Sequence, residues 1–329
     1  MKNKNVLVTG GAGYIGSHVC KNLFKEGFNP IVYDDFSRGH KESCKFGAVI
    51  KGCITDRNIM IKALKDFEPC AVIHCAGLAY VEESNNHPME YYKINVEGSI
   101  NIFSCMVEVG AKNLIFSSSC SIYGNAGFLP ITENHDKMPL SPYAKTKYIV
   151  ENILAYYDKA YEFPYISLRF FNAAGADNEV EIGEIHDPET HLIPKTIDAI
   201  YKDIEIVING GNYPTVDGTC IRDYIHVSDL AHAHILGMRH LLKGKNSCIL
   251  NLGSGKGYSC LEVINEIEKQ IGKKAKVFLG ANRSGDSAFL VGDIIRVYNT
   301  LGWIPKQSEL KDIIKTAISW YTKNRELYT

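Results

Sequence analysis

A glycine-rich turn, Thr9-Gly10-Gly11-Ala12-Gly13-Tyr14-Ile15-Gly16, follows the short apolar run Val6-Leu7-Val8 and opens a helical pattern that ends at Gly27. In that strand–turn–helix context the glycine spacing is informative, because it allows a tight turn and lets backbone N–H groups approach an anion. The positive end of the helix dipole would then offset the charge of a pyrophosphate. The turn therefore predicts a dinucleotide site formed by Gly10, Gly13, Tyr14, Ile15 and Gly16.

Further short apolar runs, Ile31-Val32-Tyr33, Ala71-Val72-Ile73 and Leu114-Ile115-Phe116, alternate with amphipathic stretches. Such alternation implies βαβ units and a parallel sheet covered on both faces. With 329 residues the chain exceeds the usual size of one hydrophobic core. The expectation is an α/β protein: a Rossmann-type doubly wound parallel sheet with a smaller, interleaved C-terminal α/β substrate domain. The character changes after Phe171, where Asn172 to Leu192 and Asn209 to Gly218 are rich in loop-forming residues. The boundary is placed so that 1–171 form the dinucleotide domain and 172–329 the substrate domain, with segments near 221–251 returning to the first. Helical patterns recur at Leu230 to Leu242, Leu261 to Ile271 and Leu310 to Tyr321, and strands are expected at Cys248 to Asn251 and Ala275 to Leu279.

A formal net charge of -1 gives no bias toward nucleic acid or an anionic membrane, so a small-molecule partner is expected. The ten cysteines form no C-x-x-C pair, which suits core thiols in a reducing cytoplasm, and no apolar run has the length of a membrane span or signal peptide.

The second predicted strand ends in Asp34-Asp35, about 20 residues beyond the glycines, where an acidic side chain meets the adenosine ribose hydroxyls. Asp34 would repel a 2′-phosphate and so selects NAD over NADP, although Arg38 nearby could in principle support that phosphate. Tyr143 and Lys147 are spaced i,i+4 at the start of a predicted helix, which puts both on one face. An adjacent ammonium and an oxidised nicotinamide would both favour the phenolate, making Tyr143 a base for a substrate hydroxyl. Ser117-Ser118-Ser119 closes a predicted strand, and the carboxyl ends of parallel strands are where such sheets place ligands. Ser119 can share the proton.

The sequence resembles the UDP-glucose 4-epimerases of the extended short-chain dehydrogenase/reductase family over nearly its whole length. Beyond the segments already named, the matching stretches are His74-Cys75-Ala76-Gly77, Asn95-Val96, Ile122-Tyr123-Gly124, Arg169-Phe170-Phe171-Asn172, and Tyr213-Pro214-Thr215 with Asp217-Gly218-Thr219. The most family-specific is Arg222-Asp223-Tyr224-Ile225-His226-Val227. The resemblance implies epimerisation of a UDP-hexose at carbon 4, by way of a 4-keto sugar and transient NADH. It implies a cofactor shell that adds Asp35, Phe36, Ser37, Arg38, Cys53, Ile54, Cys75, Ala76, Gly77, Asn95, Ser117 and Phe170 to the glycine turn, Asp34, Tyr143 and Lys147. Ser119, Tyr143 and Lys147 would be catalytic. Ser119, Tyr143, Asn172, Leu192, Arg222, Tyr224, Arg283, Asp286 and Leu290 would surround the UDP-sugar. A homodimer would pair the helices around Tyr91 to Val109 and Tyr143 to Tyr161.

Some positions depart from the family pattern. Cys53 stands where an aspartate usually contacts adenine, Ala79 where many relatives have a lysine, Asn209 where an aromatic residue is usual, and Leu290 where some relatives have a tyrosine. Sugar-nucleotide dehydratases of the family place Thr-Asp-Glu where Ser118-Ser119-Cys120 stand here, so dehydration is disfavoured. The alternatives left open are 4-epimerases of UDP-N-acetylhexosamine, UDP-pentose or UDP-uronate, a net dehydrogenase or reductase, and a non-catalytic NAD sensor. Histidines invite a metal reading, at His226 with Asp229, His232 and His234, or at His186 with His191. Spacing of i, i+2 does not align His232 with His234, no H-E-x-x-H pattern occurs, and no metal is expected.

Overall fold

The computed structural model describes residues 3–282 and 287–328. Strands β1 (Asn5–Thr9), β2 (Asn29–Asp34), β3 (Ala48–Lys51), β4 (Ala71–His74), β5 (Leu114–Ser119) and β6 (Tyr165–Phe170) come in turn from the first half. They are followed by β7 (Asn172–Ala174), β8 (Glu205–Asn209), β9 (Ile221–His226), β10 (Cys248–Leu252), β11 (Gly257–Ser259), β12 (Lys276–Gly280) and β13 (Phe289–Leu290). The main sheet is parallel, with spatial order β10-β6-β5-β4-β1-β2-β3, which makes it the doubly wound α/β sheet that the alternation predicted.

Side chains on successive strand residues point to opposite faces, so each strand feeds two cores. Val6, Val8, Ile73, Ile115 and Ile166 pack with residues of the helices Tyr14–Lys25 and Val227–Leu242 on one face. Leu7, Val72, Leu114 and Phe116 pack with residues of Arg57–Phe67, Gly98–Val109 and Pro142–Tyr161 on the other. Full burial of an aliphatic or aromatic side chain contributes about 1.5–3 kcal/mol, which explains why these strands read as continuous apolar runs.

The strand order reverses between β1 and β4, and a crevice opens at their carboxyl ends. Thr9 Oγ1 and His74 Nδ1, 2.7 Å apart, tie the two strand ends together, and His74 Nε2 reaches Ser99 Oγ at 2.9 Å. The edge of the sheet opposite β3 is β10, which follows the helix Val227–Leu242.

The remaining strands form a small sheet, β11-β9-β13 with β7 beside β9, and a two-stranded sheet of β12 and β8. The helices Leu192–Lys202, Cys260–Ile271 and Leu310–Lys323 enclose a further core around Ile197, Ile267 and Ile313. The helix Leu192–Lys202 follows a loop-rich stretch and was not among the expected helices. It is held by the burial of Ile193, Ile197 and Ile200, four or three residues apart on one face. Cys260–Ile271 starts with a reciprocal capping box between Ser259 and Glu262. None of the ten cysteines is in a disulfide, and no helix among the described residues is long and apolar enough to cross a membrane.

Candidate active site

The glycine turn lies at the crevice. Gly10 has φ +69, and a Cβ there would meet the backbone of Ala76, while a Cβ on Gly16 would collide with the Gly10 carbonyl oxygen. Gly13 caps the helix Tyr14–Lys25 without a side-chain hydrogen bond, so the first-turn N–H groups have no side-chain acceptor from the cap. This bare cradle at a helix N-terminus fits a pyrophosphate. Asp34 is buried at the end of β2, and its carboxylate accepts from Ala12 N at 3.0 Å and Phe36 N at 2.9 Å. Burial raises its pKa against those two bonds. Each carboxylate oxygen can accept a further bond, as a ribose hydroxyl would require.

Gly10, Gly13, Tyr14, Ile15, Gly16, Asp34, Asp35, Ser37, Arg38, Ile54, Cys75, Ala76, Gly77 and Phe170 line one continuous cleft with Ser119, Tyr143 and Asn172. Other residues of the expected cofactor shell shape it from behind. Phe36, at φ 63, turns the chain after Asp34. The Asn95 amide bonds both backbone groups of Leu78, at 2.8 and 3.0 Å, and thereby holds the segment after Gly77. Cys53 places its thiol 3.1 Å from Thr55 Oγ1, while its neighbours Gly52 and Ile54 form the wall. Arg38 pairs with Glu83, reaches the Asp187 carbonyl at 3.4 Å and stacks 5.4 Å over the Tyr80 ring.

Tyr143 is 8% exposed near the start of the helix Pro142–Tyr161, which Ser141 caps through Ala144 N. Burial pushes its phenol up to about 12, with the Ser119 hydroxyl pulling the other way. One turn on, Lys147 Nζ donates to the Ser117 carbonyl at 2.9 Å and lies 6.0 Å from the Tyr143 ring centroid. Burial brings the Lys147 ammonium down to about 8, against the pull of Cys75 and Glu151. The three serines divide by strand alternation. Ser117 Oγ meets His234 Nε2 at 3.0 Å, Ser118 Oγ donates to Glu151 at 2.6 Å, and Ser119 reaches the cleft, its Oγ accepting from Ser121 N at 3.2 Å.

Of the expected substrate residues, Asn172, Arg222, Tyr224 and Leu290 lie on the small sheet, and of these four only Asn172 lines the cleft described above. Arg222 is buried on β9 beside Leu290 of β13, and its guanidinium donates to the Ile221 carbonyl at 2.9 Å. Asn172 pairs with Tyr224 in register and donates to the Asp223 carbonyl at 3.1 Å. The Asp223 carboxylate, raised to about 6 by burial, receives Ser254 N, Ser254 Oγ, Gly255 N and Gly292 N and fastens the loops around this sheet. Leu290 packs against the cluster of Cys120, Ile122, Tyr123, Ile131 and Phe171. Leu192 packs against the hydrophobic clusters around Ile197 and Ile206. Arg283 and Asp286 lie outside the described residues.

Several lining residues were not among the expected site residues: Tyr33, Leu78, Tyr80, Glu83, Ile94, Phe171, Glu184, His186 and His191. Most reach the cleft only through chain reversals that local spacing does not reveal. Of the histidines considered for a metal, His226 and His234 are buried in hydrogen bonds to Thr316 Oγ1 and the Leu230 carbonyl. Asp229 accepts from Lys306 N, Gln307 N and Ser308 Oγ. His186 and His191 do come together, with Glu184 and Glu189.

Residues 6–253 match the NAD dependent epimerase/dehydratase family. A UDP-glucose 4-epimerase of Rhizobium leguminosarum bv. trifolii is 43% identical, over 99% of this chain and all of the relative. The crystal structure of UDP-glucose 4-epimerase from Brucella ovis in complex with NAD superposes with a TM-score of 0.94 at 43% identity, covering 96% of this chain and 98% of that one. The Stenotrophomonas maltophila UDP-glucose 4-epimerase structure, with bound NAD and formylated UDP-arabinopyranose, gives a TM-score of 0.95 at 33% identity over 98% and 99%.

Proposed function

The chain belongs to the NAD dependent epimerase/dehydratase family, and from that premise we propose that it is an NAD-dependent isomerase interconverting UDP-glucose and UDP-galactose at carbon 4. The observation that carries this is the convergence of Ser119 and Tyr143 on the same cleft as the glycine cradle and Asp34, with Lys147 one turn behind Tyr143. Residues 1–171 with β10 are proposed to hold NAD, and 172–329 the UDP-sugar.

Held by the glycine turn and Asp34, NAD would supply the hydride acceptor and donor for carbon 4, so that inversion would pass through a 4-keto sugar. Tyr143 removes the 4-hydroxyl proton and later gives it back, and Ser119 relays or orients that proton. The phenol of the protein alone stands at about 12, so it needs positive charge nearby. Lys147 supplies part of this, held by the Ser117 carbonyl. Arg222, with Arg283, is assigned to the diphosphate, Asp286 to the uridine ribose, and Asn172, Leu192, Tyr224 and Leu290 to the walls around the nucleotide and sugar. Glu151, the acid near this strand end, is occupied by Arg169 and Ser118, which leaves no Asp-Glu pair for a 5,6-elimination.

A homodimer in the reducing cytoplasm is proposed with it. Support comes from exposed Ile100 and Tyr156, on helices joined by the 2.9 Å contact of Ser104 Oγ with Tyr157 Oη, and from unbridged cysteines. The test is to incubate purified protein separately with UDP-glucose, UDP-N-acetylglucosamine, UDP-xylose and UDP-glucuronate and to follow products by NMR. Conversion of UDP-glucose to UDP-galactose without stoichiometric NADH is expected. Inert UDP-glucose beside turnover of another sugar would reassign the substrate, net NADH would indicate a dehydrogenase, and NAD binding with no turnover a sensor.

A further inference from the structure

The segment entering the second lobe carries Glu184-x-His186-x-x-Glu189-x-His191, four candidate ligands within eight residues. None of the four has a role in the epimerisation described above. One ligand atom from each lies within 4.8 Å of all the others. We propose that Glu184, His186, Glu189 and His191 bind a divalent first-row transition metal ion, zinc fitting best, and that the ion fastens this segment over the flank of the dinucleotide cleft.

The four groups already pair as ions, and three of their spacings also suit ligands of one shared metal ion. Only His191 Nδ1 to Glu184 Oε1, at 2.6 Å, has the length of a charge-assisted hydrogen bond. His186 Nδ1 lies 3.2 Å from Glu184 Oε1 and 3.7 Å from Glu189 Oε2, and His191 Nδ1 lies 3.5 Å from Glu189 Oε1. Ligands about 2.1 Å from a tetrahedral ion stand about 3.4 Å from one another, which these three spacings approach. His186 Nδ1 and Glu189 Oε2 are shut away from solvent and make no hydrogen bond. Leaving buried polar atoms without partners is costly, and a shared cation would satisfy both.

Charge permits the exchange. Without a metal the two carboxylates hold both imidazoles protonated, His186 pushed up to about 9 and His191 to about 10, so a dication that displaces those two protons leaves the cluster's net charge unchanged. The mixed N2O2 donor set suits zinc or its neighbours better than calcium or magnesium, which prefer oxygen. The ligands are also oriented by a second layer. Glu189 Oε1 accepts from Thr190 N and His191 N, each at 2.8 Å, and the Glu184 carbonyl receives the Trp320 indole at 3.1 Å.

The position gives the ion its consequence. Glu184, His186 and His191 line the cleft together with Tyr14, Arg38 and Tyr80. The His186 ring centroid is 5.8 Å from that of Tyr80 and 6.3 Å from that of Tyr14, the first residue of the helix at the glycine turn. An ion that rigidifies this segment narrows the exit for whatever the glycine cradle holds. This second half rests on the NAD assignment above, whereas metal binding itself does not.

The test uses the full-length protein, stripped with a chelator and then titrated with zinc. One tight equivalent is expected, lost by about 100-fold or more in affinity in His186→Asn and in Glu189→Gln. Because the chain has ten thiols, zinc-edge X-ray absorption of the one-equivalent wild-type complex supplies a readout that needs no variant. Two imidazoles and carboxylate oxygens at about 2.0–2.2 Å support the site, and sulfur ligation overturns it. Unchanged affinity in both variants, or magnesium binding as tightly as zinc, also overturns it. Release of bound NAD should slow several-fold on adding zinc to the stripped wild type and not to His186→Asn. Zinc bound at this set with an unaltered release rate would overturn the fastening role alone. A protein that takes zinc here but binds no NAD would instead overturn the cofactor assignment.

Discussion

Lys147 and Glu151, one turn apart on the helix Pro142–Tyr161, grip consecutive residues at the end of β5. Lys147 Nζ donates to the Ser117 carbonyl at 2.9 Å, and Glu151 Oε1 accepts from Ser118 Oγ at 2.6 Å. Glu151 is itself pinned by Arg169, whose Nη2 lies 2.6 Å from Oε2, with both side chains buried. The strand end that presents Ser119 is thus fastened from behind by the same helix that presents Tyr143.

Removing the phenol should stop the chemistry and leave the architecture intact. Tyr143→Phe is expected to lower kcat about 100- to 10,000-fold, the range for loss of a general acid–base group, with NAD content unchanged. Wild-type epimerisation by this variant in a coupled assay would remove Tyr143 from its role.

Lys147 is retained at a cost in stability. Its folded pKa, about 8, lies below the ordinary 10.5 because burial disfavours the charge. The unfolded chain therefore binds the extra proton between those values, and this site makes the NAD-free protein more stable as pH rises from 8 toward 10.5. Lys147→Met should make the NAD-free protein more stable at pH 7 by up to about 3 kcal/mol while abolishing turnover. A urea midpoint that falls would contradict this account.

Glu151→Ala is expected to destabilise the fold by about 3–5 kcal/mol, because it leaves the Arg169 guanidinium charged and uncompensated in the core. Urea unfolding at pH 7 measures it, and a loss below about 1 kcal/mol would show that Arg169 finds another acceptor.

Acid should unfold the protein early. Burial lowers His18, His226 and His234 to about 4 and His74 to about 3. Their folded values lie below the unfolded 6.5, so the unfolded chain protonates first and stability is lost as pH falls from about 6.5 toward 4. Each contributes about 1.4 kcal/mol per pH unit inside that window. Urea midpoints at pH 7, 6 and 5 should drop progressively, and a flat series would refute the assignment.

Much of the fold was legible from neighbouring residues. Runs such as Ala71-Val72-Ile73 became central strands because a strand buried on both faces needs apolar residues at every position. The strand expected at Ala275 to Leu279 is found at Lys276–Gly280, a shift of one residue. The helix Leu192–Lys202 was not anticipated, since its apolar face follows a loop-rich stretch and has meaning only against Ile267 and Ile313. Of the candidate site, the glycine turn, Asp34, Ser119 and Tyr143 were read from motifs and line one cleft.

By itself the sequence determined what local backbone physics controls: a turn only glycine tolerates at Gly10, strands that alternate faces, and a tyrosine and lysine one helical turn apart. Tertiary structure alone decided which buried groups meet across long stretches of chain. Glu151 finds Ser118 33 residues away, and Glu184 and His186 line the same cleft as Tyr80 from a distant part of the chain. Such pairings arise when burial leaves polar groups no solvent to bond, a requirement that depends on which surfaces close together and that no spacing along the chain encodes.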